Sequence, residues 1–479
     1  MLFPTPPLGP ATAIMLFIYK RLHQDPEFRQ AGCWGKIPSV EEEIQRLIAT
    51  ALGEVPPEVL IRGGTLLNVL TEEVIPGVDV AISGGRIAYI GHRFEGEISR
   101  DTLVMDARGL FMAPGFIDPH CHLDFVFQVR EYSRFALPKG TTTVVTEAAM
   151  VANAGGPRAV RWFLKEAMGA PLRVFLLCPS VIPPFPQFEQ SAGFPREAFE
   201  ELIAEDFCLG LGETYWPRMV MDRDSDMLGR FAEVMKRGKR LEGHTAGARG
   251  RRLQAYISSG ISSCHEATSQ QEALELLRLG CAVMIRQGYI RQELPEVAPL
   301  RGKLRDLRNL MLCTDLLDPE TLMERGALDW AVREAIARGF SPMEAIKMVT
   351  LNPATYFGLK DLGLLAPGRR ADILLFEGLR ELRIKAVFLD GQLVAEDGKL
   401  LSDPPPFSYP PEAMDSFRLR PLEPSHFRVP HQGKKVRVRA LEVKNDTITA
   451  ESWVELPVRS GNVCANPERD VLKAAQILR

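Results

Sequence analysis

The chain has 479 residues, of which 46% are hydrophobic and 25% charged, and its net charge is −3. These are ordinary globular values, so a fibrous or disordered protein is excluded. There is no excess of positive charge to neutralise phosphates, which argues against nucleic-acid binding. No apolar run approaches the ~20 residues that a membrane span needs.

The cysteines indicate a reducing environment. All 8 are spread singly without a CxxC pair, which argues against a zinc ribbon or a thioredoxin-type site. Most lie in apolar runs, as buried free thiols do. Since the N-terminus also lacks the features of a secretory signal, we expect a cytoplasmic protein without a membrane partner.

The first part of the chain predicts an extension, a helix and β structure, in that order. Residues 1–40 are interpreted as an irregular N-terminal extension. A helix is predicted to begin at Ser39, a favourable N-cap followed closely by three glutamates. Short alternating runs then predict strands, with a hairpin turn at Gly84-Gly85. A similar pattern returns after the middle of the chain, with a turn at Asp390-Gly391. Residues 41–108 and 361–402 are therefore predicted to form two halves of one small β-sandwich domain.

The middle of the chain alternates apolar runs of strand length with helical patterns such as Leu322–Ala337. The runs are Leu110–Ile117, Thr142–Thr146, Val174–Cys178, Cys208–Leu211, Arg240–Glu242, Ile261–Cys264, Ala282–Ile285 and Leu310–Cys313. Eight strands with helices between them predict an α/β fold, a (β/α)8 TIM barrel over residues 109–360. A proline-rich linker and a short C-terminal domain are predicted over residues 403–479.

Two histidines, His120 and His122, follow the first predicted barrel strand. A spacing of two residues in an extended chain puts both imidazoles on one side. A single histidine at such a position is more often a packed core residue. A His-x-His pair at a strand end is typical of a metal chelate.

Further imidazole and carboxylate groups follow later predicted strands, namely Glu213, His244, His265 and Asp315. Taken alone, Glu213 or Asp315 fits a solvated strand end or a helix N-cap equally well. Barrel enzymes place their catalytic groups at the C-terminal ends of the strands, so five strand ends with such groups indicate one site. Four imidazoles and two carboxylates suit two divalent metals that share a bridging carboxylate.

The motifs resemble those of the amidohydrolase superfamily. Pro114–His122 (PGFIDPHCH) and Gly140–Thr146 (GTTTVVT) carry the resemblance to the superfamily. The motifs similar to those of the adenine deaminases within it are Gly210–Glu213, Glu242–His244, Gly260–Glu266, Val283–Arg286 and Cys313–Asp315. The resemblance extends over roughly residues 45–479.

This resemblance implies a role for each candidate ligand. His120 and His122 would hold one metal, and His244 and His265 would hold the second. Glu213 would bridge the two ions, while Asp315 would bind the first and move protons. The cofactors would be two divalent ions of manganese, iron or zinc. The implied reaction is the hydrolysis of adenine to hypoxanthine and ammonia, with a purine-like base as the small-molecule partner. A homo-oligomer is left open.

The sequence departs from the adenine deaminases at motifs of the substrate pocket. Glu147-Ala148-Ala149-Met150 replaces Asp-Pro-His-Glu, and Leu316-Leu317-Asp318-Pro319 replaces Asp-Arg-His-Pro. Ile285-Arg286-Gln287-Gly288 replaces Ile-Arg-Glu-Gly, and Gly326-Ala327-Leu328-Asp329 replaces Gly-His-Ile-Asp. Purine recognition needs directional hydrogen bonds.

The polar groups that remain at these motifs are therefore the candidates for binding substrate: Glu147, Arg286 and Asp318. Two alternatives to adenine deamination stay open. The substrate could be another aminated heterocycle or a cyclic amide, or the chain could be a non-catalytic scaffold on this fold. The retained ligand set argues against the scaffold, which would have no need of six metal ligands.

Overall fold

The computed structural model describes residues 39–416, 419, 421–444 and 449–477. The extension predicted over residues 1–40 lies outside these residues, except for its last two. The first described helix, α1, spans Val40–Ala51. It begins as predicted at Ser39, because Ser39 Oγ accepts a hydrogen bond from Glu42 N and the Glu42 carboxylate accepts one from Ser39 N. This reciprocal pair is a capping box.

The described part of the chain is built from short strands and helices. The strands are β1 (Val59–Asn68), β2 (Glu73–Ser83), β3 (Arg86–His92), β4 (Leu103–Asp106), β5 (Phe111–Pro114), β6 (Phe116–Cys121), β7 (Thr141–Glu147), β8 (Arg173–Cys178), β9 (Cys208–Leu211), β10 (Arg240–Leu241), β11 (Ser263–Cys264), β12 (Ala282–Arg286), β13 (Leu310–Cys313), β14 (Ile373–Glu377), β15 (Arg383–Leu389), β16 (Gln392–Glu396), β17 (Lys399–Leu400), β18 (Lys435–Val443), β19 (Thr449–Arg459) and β20 (Asn462–Val463). The helices after α1 are α2 (Leu123–Val126), α3 (Val129–Ala136), α4 (Ala149–Gly169), α5 (Arg196–Ile203), α6 (Trp216–Val220), α7 (Ser225–Lys236), α8 (Arg251–Ser258), α9 (Gln270–Arg278), α10 (Leu294–Val297), α11 (Pro319–Glu324), α12 (Leu328–Ala337), α13 (Pro342–Lys347) and α14 (Leu351–Phe357).

Strands β6 to β13 form a closed parallel barrel. Five of them pair in the order β10-β9-β8-β7-β6, and three in the order β11-β12-β13. Parallel bridges join the two groups at both seams, Glu242 with Ser263 and Cys121 with Asp315. The predicted (β/α)8 barrel is therefore confirmed. Because the strands are parallel, all their C-terminal ends open at one mouth.

The first predicted barrel strand, Leu110–Ile117, is in fact two strands that belong to different sheets. β5 pairs with β1 and β14 of the flanking sheet, whereas β6 pairs with β7 of the barrel. The switch occurs at Gly115, where a Cβ atom would lie 2.2 Å from Thr142 Oγ1. Both strands are buried, so the apolar run continues across the switch and periodicity alone could not locate it.

The helix predicted over Leu322–Ala337 is also interrupted. The structure has α11 and α12 in this region, and Gly326 between them has a φ of +121°. That backbone conformation is left-handed, which glycine adopts readily and other residues do not. The amphipathic pattern persists across the break because both helices bury their apolar sides.

The β segments on either side of the barrel form one hydrogen-bonded sheet. Its order is β17-β16-β15-β14-β5-β1-β2-β3, with β4 also on β1. β1 pairs with β4 through its first residues and with β5 through Thr65 and Leu66. The sheet thus divides into two parts at β1, one with β2 and β3 and the other with β5 and β14 to β17. Both parts contribute to a common apolar core, which includes Val80, Ile82 and Ile87 from the first part and Ile373 and Phe388 from the second.

The chain after the flanking sheet returns along the barrel. In the segment predicted as a proline-rich linker, Asp403 pairs with Arg134 of α3, and Tyr409 OH donates to Glu166 of α4 at 2.5 Å. Beyond it, β18, β19 and β20 form a small antiparallel sheet. Within the described residues, no helix combines the length and apolar character needed to cross a membrane.

Candidate metal centre

The six predicted ligands all lie at the C-terminal ends of barrel strands. His120 is the last residue but one of β6, and His122 comes directly after that strand. Glu213, His244, His265 and Asp315 come within three residues after β9, β10, β11 and β13, respectively. The backbone of Asp315 is fixed against β6, since its N–H donates to His120 O at 3.0 Å and its carbonyl accepts from His122 N at 2.9 Å.

One oxygen of Glu213 lies at the centre of this cluster. The Nε2 atoms of all four histidines approach Glu213 Oε1, at 3.2 Å for His120, 3.3 Å for His122, 2.9 Å for His244 and 3.0 Å for His265. Asp315 Oδ1 lies 3.4 Å from His122 Nε2. The ligand atoms form two groups that share Glu213: His120, His122, Glu213 and Asp315, and Glu213, His244 and His265.

Several ring nitrogens of these histidines lack the hydrogen bonds that buried polar groups normally make. Both nitrogens of His120, and Nδ1 of His122 and of His265, are buried without a hydrogen-bond partner. Of these atoms, only His120 Nε2 faces Glu213, and a divalent cation would satisfy it together with the Nε2 atoms of the other histidines and the carboxylate oxygens. The residues present therefore fit a divalent metal site, and imidazole with carboxylate is a donor set that zinc, iron and manganese accept.

The carboxylates and imidazoles shift one another's pKa strongly. Burial alone would raise the pKa of Glu213, but the neighbouring charges of His244 and His122 hold it well below its usual range. Burial would likewise lower the pKa of His120, but the Asp315 and Glu213 carboxylates raise it to about 10. His265 behaves oppositely, since burial and repulsion from His120 lower its pKa to about 3. The Glu213 carboxylate therefore stays ionised, as a ligand to a cation must.

Glu147, a predicted substrate-binding residue, reaches the same cluster from β7. Its Oε1 atom accepts a hydrogen bond from Glu213 N at 2.5 Å. Burial and the charge of Glu213 raise the pKa of Glu147 to about 7. Glu147 thus lies beside the predicted metal ligands, and its contact with substrate stays a prediction.

The structure places the other two predicted substrate residues differently. Arg286 is buried and paired with Glu293 and Asp315. Asp318 is the N-cap of α11, where its Oδ1 accepts from Thr321 N at 2.9 Å. Substrate contact by either residue stays a prediction. Among the apolar replacements at the pocket motifs, Leu317 and Ala327 are buried in the main apolar core.

Several polar groups that support the cluster were missed by the sequence analysis. Asp118 is fully buried below His120 and accepts hydrogen bonds from His120 N at 3.3 Å and Thr314 Oγ1 at 2.6 Å. Burial raises the pKa of Asp118 to about 6. Glu266 accepts from Ala246 N at 2.9 Å and approaches His244 Nδ1 to 3.9 Å. Asp118 and Glu266 both lie within the quoted motifs, next to the histidines in sequence. That proximity could have predicted that they support the histidines.

An aromatic pair extends outward from the cluster. The Tyr215 ring meets His244 edge-on, with centroids 5.0 Å apart, and Phe185 lies 5.4 Å from Tyr215. Phe185 belongs to the loop that follows β8 and is 43% exposed. Ring contacts thus connect His244, through Tyr215, to a partly exposed phenylalanine.

The barrel and its cluster correspond to a known class of hydrolase. The sequence matches the amidohydrolase family over residues 111–394, so the chain belongs to that family. A β-aspartyl dipeptidase from Fervidobacterium islandicum AW-1 shares the fold, with a TM-score of 0.55, 18% identity and coverage of 72% of this chain and 97% of that one. Molinate hydrolase also shares it, with a TM-score of 0.53, 18% identity and coverage of 71% and 95%.

Within that family the chain groups with the adenine deaminases, and it is a hydrolase that acts on carbon–nitrogen bonds. It is 37% identical over 457 residues to the adenine deaminase of Rubrobacter xylanophilus, covering 93% of this chain and 75% of that protein. It is 38% identical over 448 residues to the enzyme of Moorella thermoacetica, covering 91% and 75%. An archaeal relative, the adenine deaminase of Cenarchaeum symbiosum, is 35% identical over 438 residues, covering 91% and 72%.

Proposed function

We propose that this protein deaminates adenine by hydrolysis, with hypoxanthine and ammonia as products. The observation that carries the proposal is the convergence of four imidazoles on one oxygen of Glu213, with Asp315 beside them. Its relatives named adenine deaminase align with nine-tenths or more of the chain. The free buried cysteines among the described residues support action in a reducing compartment such as the cytoplasm.

The proposed centre holds two divalent cations of manganese, iron or zinc. His120, His122 and Asp315 would contact one ion, His244 and His265 the other, and Glu213 both. Such cations, when bound, lower the pKa of water toward neutrality and stabilise negative charge on the reacting groups.

Asp315 is the proposed proton carrier. Attack of water on C6 of adenine forms a carbon–oxygen bond and opens the C6=N1 double bond, whose electron pair moves to N1, and the proton that the water releases passes to the Asp315 carboxylate. Asp315 then donates that proton to the amino nitrogen as the bond from C6 to that nitrogen breaks and the electron pair on N1 restores the C6=N1 bond. Ammonia leaves, and the proton of the new hydroxyl group shifts to N1 to give hypoxanthine. One group can serve as both base and acid because it lies beside the attacking and the leaving atoms. Glu147 and the Tyr215 ring are the proposed neighbours of the purine.

The test is ammonia release from adenine by purified protein supplied with manganese, iron or zinc. We expect turnover with at least one metal, and loss of both metal and turnover in His120→Asn/His122→Asn. The control is Asp306→Asn, which should keep full activity. Asp306 is exposed and precedes β13, whereas Asp315 follows the other end of that strand. Metal-replete protein that releases no ammonia from adenine, but does so from another aminated heterocycle, would contradict the assignment.

A further inference from the structure

Arg286 lies buried between two carboxylates at the end of β12. Its Nε and Nη2 atoms donate to the two oxygens of Glu293 at 3.0 and 2.7 Å. Its Nη1 atom donates to Asp315 Oδ2 at 3.3 Å. The Arg286 and Glu293 side chains are only 4% and 9% exposed. Arg286 thus makes a two-bond fork with Glu293 and a single, longer bond with Asp315.

The two carboxylates compete for this one guanidinium. Arginine pairs best with a carboxylate through two parallel hydrogen bonds, and Glu293 occupies the donors of that fork. Asp315 Oδ1 therefore remains directed toward the histidines, 3.4 Å from His122 Nε2. If Glu293 lost its charge, Arg286 could form hydrogen bonds with both oxygens of Asp315. Oδ1 would then move away from the histidines.

We infer that Glu293 is a positioning residue for the metal centre, which restrains Arg286 so that Asp315 Oδ1 stays available to the metal. The inference rests on the proposed function in one respect, the assignment of Asp315 as a metal ligand. Glu293 lies in the loop just before α10, seven residues beyond Arg286. No sequence motif marks it, because its role depends on how that loop folds back over the strand end.

The experiment measures the affinity of the metal-free protein for Mn²⁺ by calorimetric titration. Glu293→Gln, which keeps the size but removes the charge, should weaken Mn²⁺ binding by at least about tenfold, the range seen when groups behind metal ligands are removed. Glu293→Asp should recover part of the affinity. The double variant Arg286→Met/Glu293→Gln should bind Mn²⁺ more tightly than Glu293→Gln, because the competing guanidinium is gone.

Glu296→Gln is the matched control, since Glu296 is an exposed glutamate on α10, three residues beyond Glu293. It should leave the affinity unchanged. The inference is overturned if Glu293→Gln binds Mn²⁺ normally, or if the double variant binds as weakly as the single one. If thermal unfolding shows that Glu293→Gln is not folded, Glu293→Asp is compared with the double variant instead, and a double variant that binds Mn²⁺ more weakly than Glu293→Asp overturns the inference.

Adenine turnover is measured in parallel with the titrations. Unmodified protein that binds Mn²⁺ but releases no ammonia from adenine with manganese, iron or zinc refutes the proposed function, while the order of Mn²⁺ affinities still tests the role of Glu293. In active protein, Glu293→Gln at saturating Mn²⁺ should lower kcat more than it changes KM, because Asp315 acts on the reacting atoms. If KM instead rose by the same factor by which kcat fell, and Mn²⁺ binding were not weaker, the result would indicate a general structural defect and overturn the inference.

Discussion

Asp315 has a backbone in the left-handed region and a carboxylate that is held from two sides. Its φ of +55° is in the left-handed region, where a non-glycine residue is strained and depends on its surroundings. Its backbone is tied to β6, and its carboxylate is held by Arg286 on one side and the histidines on the other. This restraint is what a group needs if it is to move a proton between fixed positions.

Asp315→Asn should therefore keep the fold and lower turnover of adenine by at least about 100-fold, because an amide cannot accept the proton. Steady-state ammonia release and thermal unfolding of the same preparation provide the measurement. The exposed-site variant Asp306→Asn is the control. Near-full activity in Asp315→Asn would show that another group carries the proton, with Glu147 the nearest candidate.

The substitution Glu147→Gln tests whether Glu147 contacts the substrate. Glu147→Gln keeps an oxygen that can accept from Glu213 N but removes the charge that would attract a purine N–H. If Glu147 binds substrate, KM for adenine should rise about tenfold, equivalent to one lost hydrogen bond of ~1.4 kcal/mol. Kinetics at fixed metal concentration measure the change. An unchanged KM would mean that Glu147 only supports the Glu213 backbone.

At the scale of elements, the chain passes from the flanking sheet into the barrel between β5 and β6. The first of these strands belongs to the flanking sheet and the second carries His120, so the position of this predicted metal ligand depends on the bend at Gly115. The neighbouring Thr142 side chain leaves no room for a Cβ atom there. A small residue at this position is thus required by packing between β6 and β7.

We expect Gly115→Ala to destabilise the protein by about 1–3 kcal/mol, since overpacking forces the adjoining strands to shift. Urea unfolding followed by circular dichroism gives the difference. The control is Gly169→Ala, because Gly169 ends α4 and a Cβ atom added there would have no neighbour within 4 Å, so alanine should be neutral or slightly stabilising. Equal stability of the two variants would contradict the packing argument.

At the scale of the whole molecule, a buried charge network joins the barrel to the flanking sheet. Arg173, at the start of β8, pairs with Asp372 and with Asp390, the latter at 2.6 Å. Arg173 is 12% exposed and Asp372 only 6%. The network lies at the end of the barrel opposite the metal centre, so it fixes the sheet without touching the ligands.

Arg173→Met should lower the free energy of unfolding by about 3–5 kcal/mol, because it leaves the buried Asp372 carboxylate without its cation, whereas Asp390 keeps its pair with Arg370. Arg108→Met is the comparison, since Arg108 pairs with Asp106 at the surface with its side chain 80% exposed, and such pairs contribute ~1 kcal/mol or less. Chemical unfolding of both variants tests this. A small effect of Arg173→Met would show that the Asp372 carboxylate finds another partner.

Metal removal should destabilise the whole molecule as well as abolish turnover. A ligand that binds only the folded state adds about 2.7 kcal/mol at a concentration 100 times its Kd. We therefore expect a lower Tm after chelation and its recovery with Mn²⁺. The variant His120→Asn/His122→Asn should show a smaller difference between the two conditions. Identical Tm values with and without metal in the unmodified protein would argue against a bound cation.

Local sequence alone determined much of this protein. The alternation of apolar runs and helical patterns was enough to predict the barrel, because each strand is buried on both faces and each helix on one. The His120-x-His122 spacing and the groups after later strands predicted which imidazoles and carboxylates come together, since parallel strand ends must meet at one mouth. The Ser39 cap and the two hairpin turns were predictable because short-range hydrogen bonds and backbone conformation decide them.

Only the tertiary structure decided which strand pairs where and which polar groups support the ligands. The change of sheet at Gly115 is invisible in an apolar run, because burial in either sheet selects the same residue types. Glu293 is brought to Arg286, and Arg286 to Asp315, by contacts between different strand ends and loops. Such contacts depend on the three-dimensional approach of distant segments, whereas sequence periodicity reports only which side of each segment is buried.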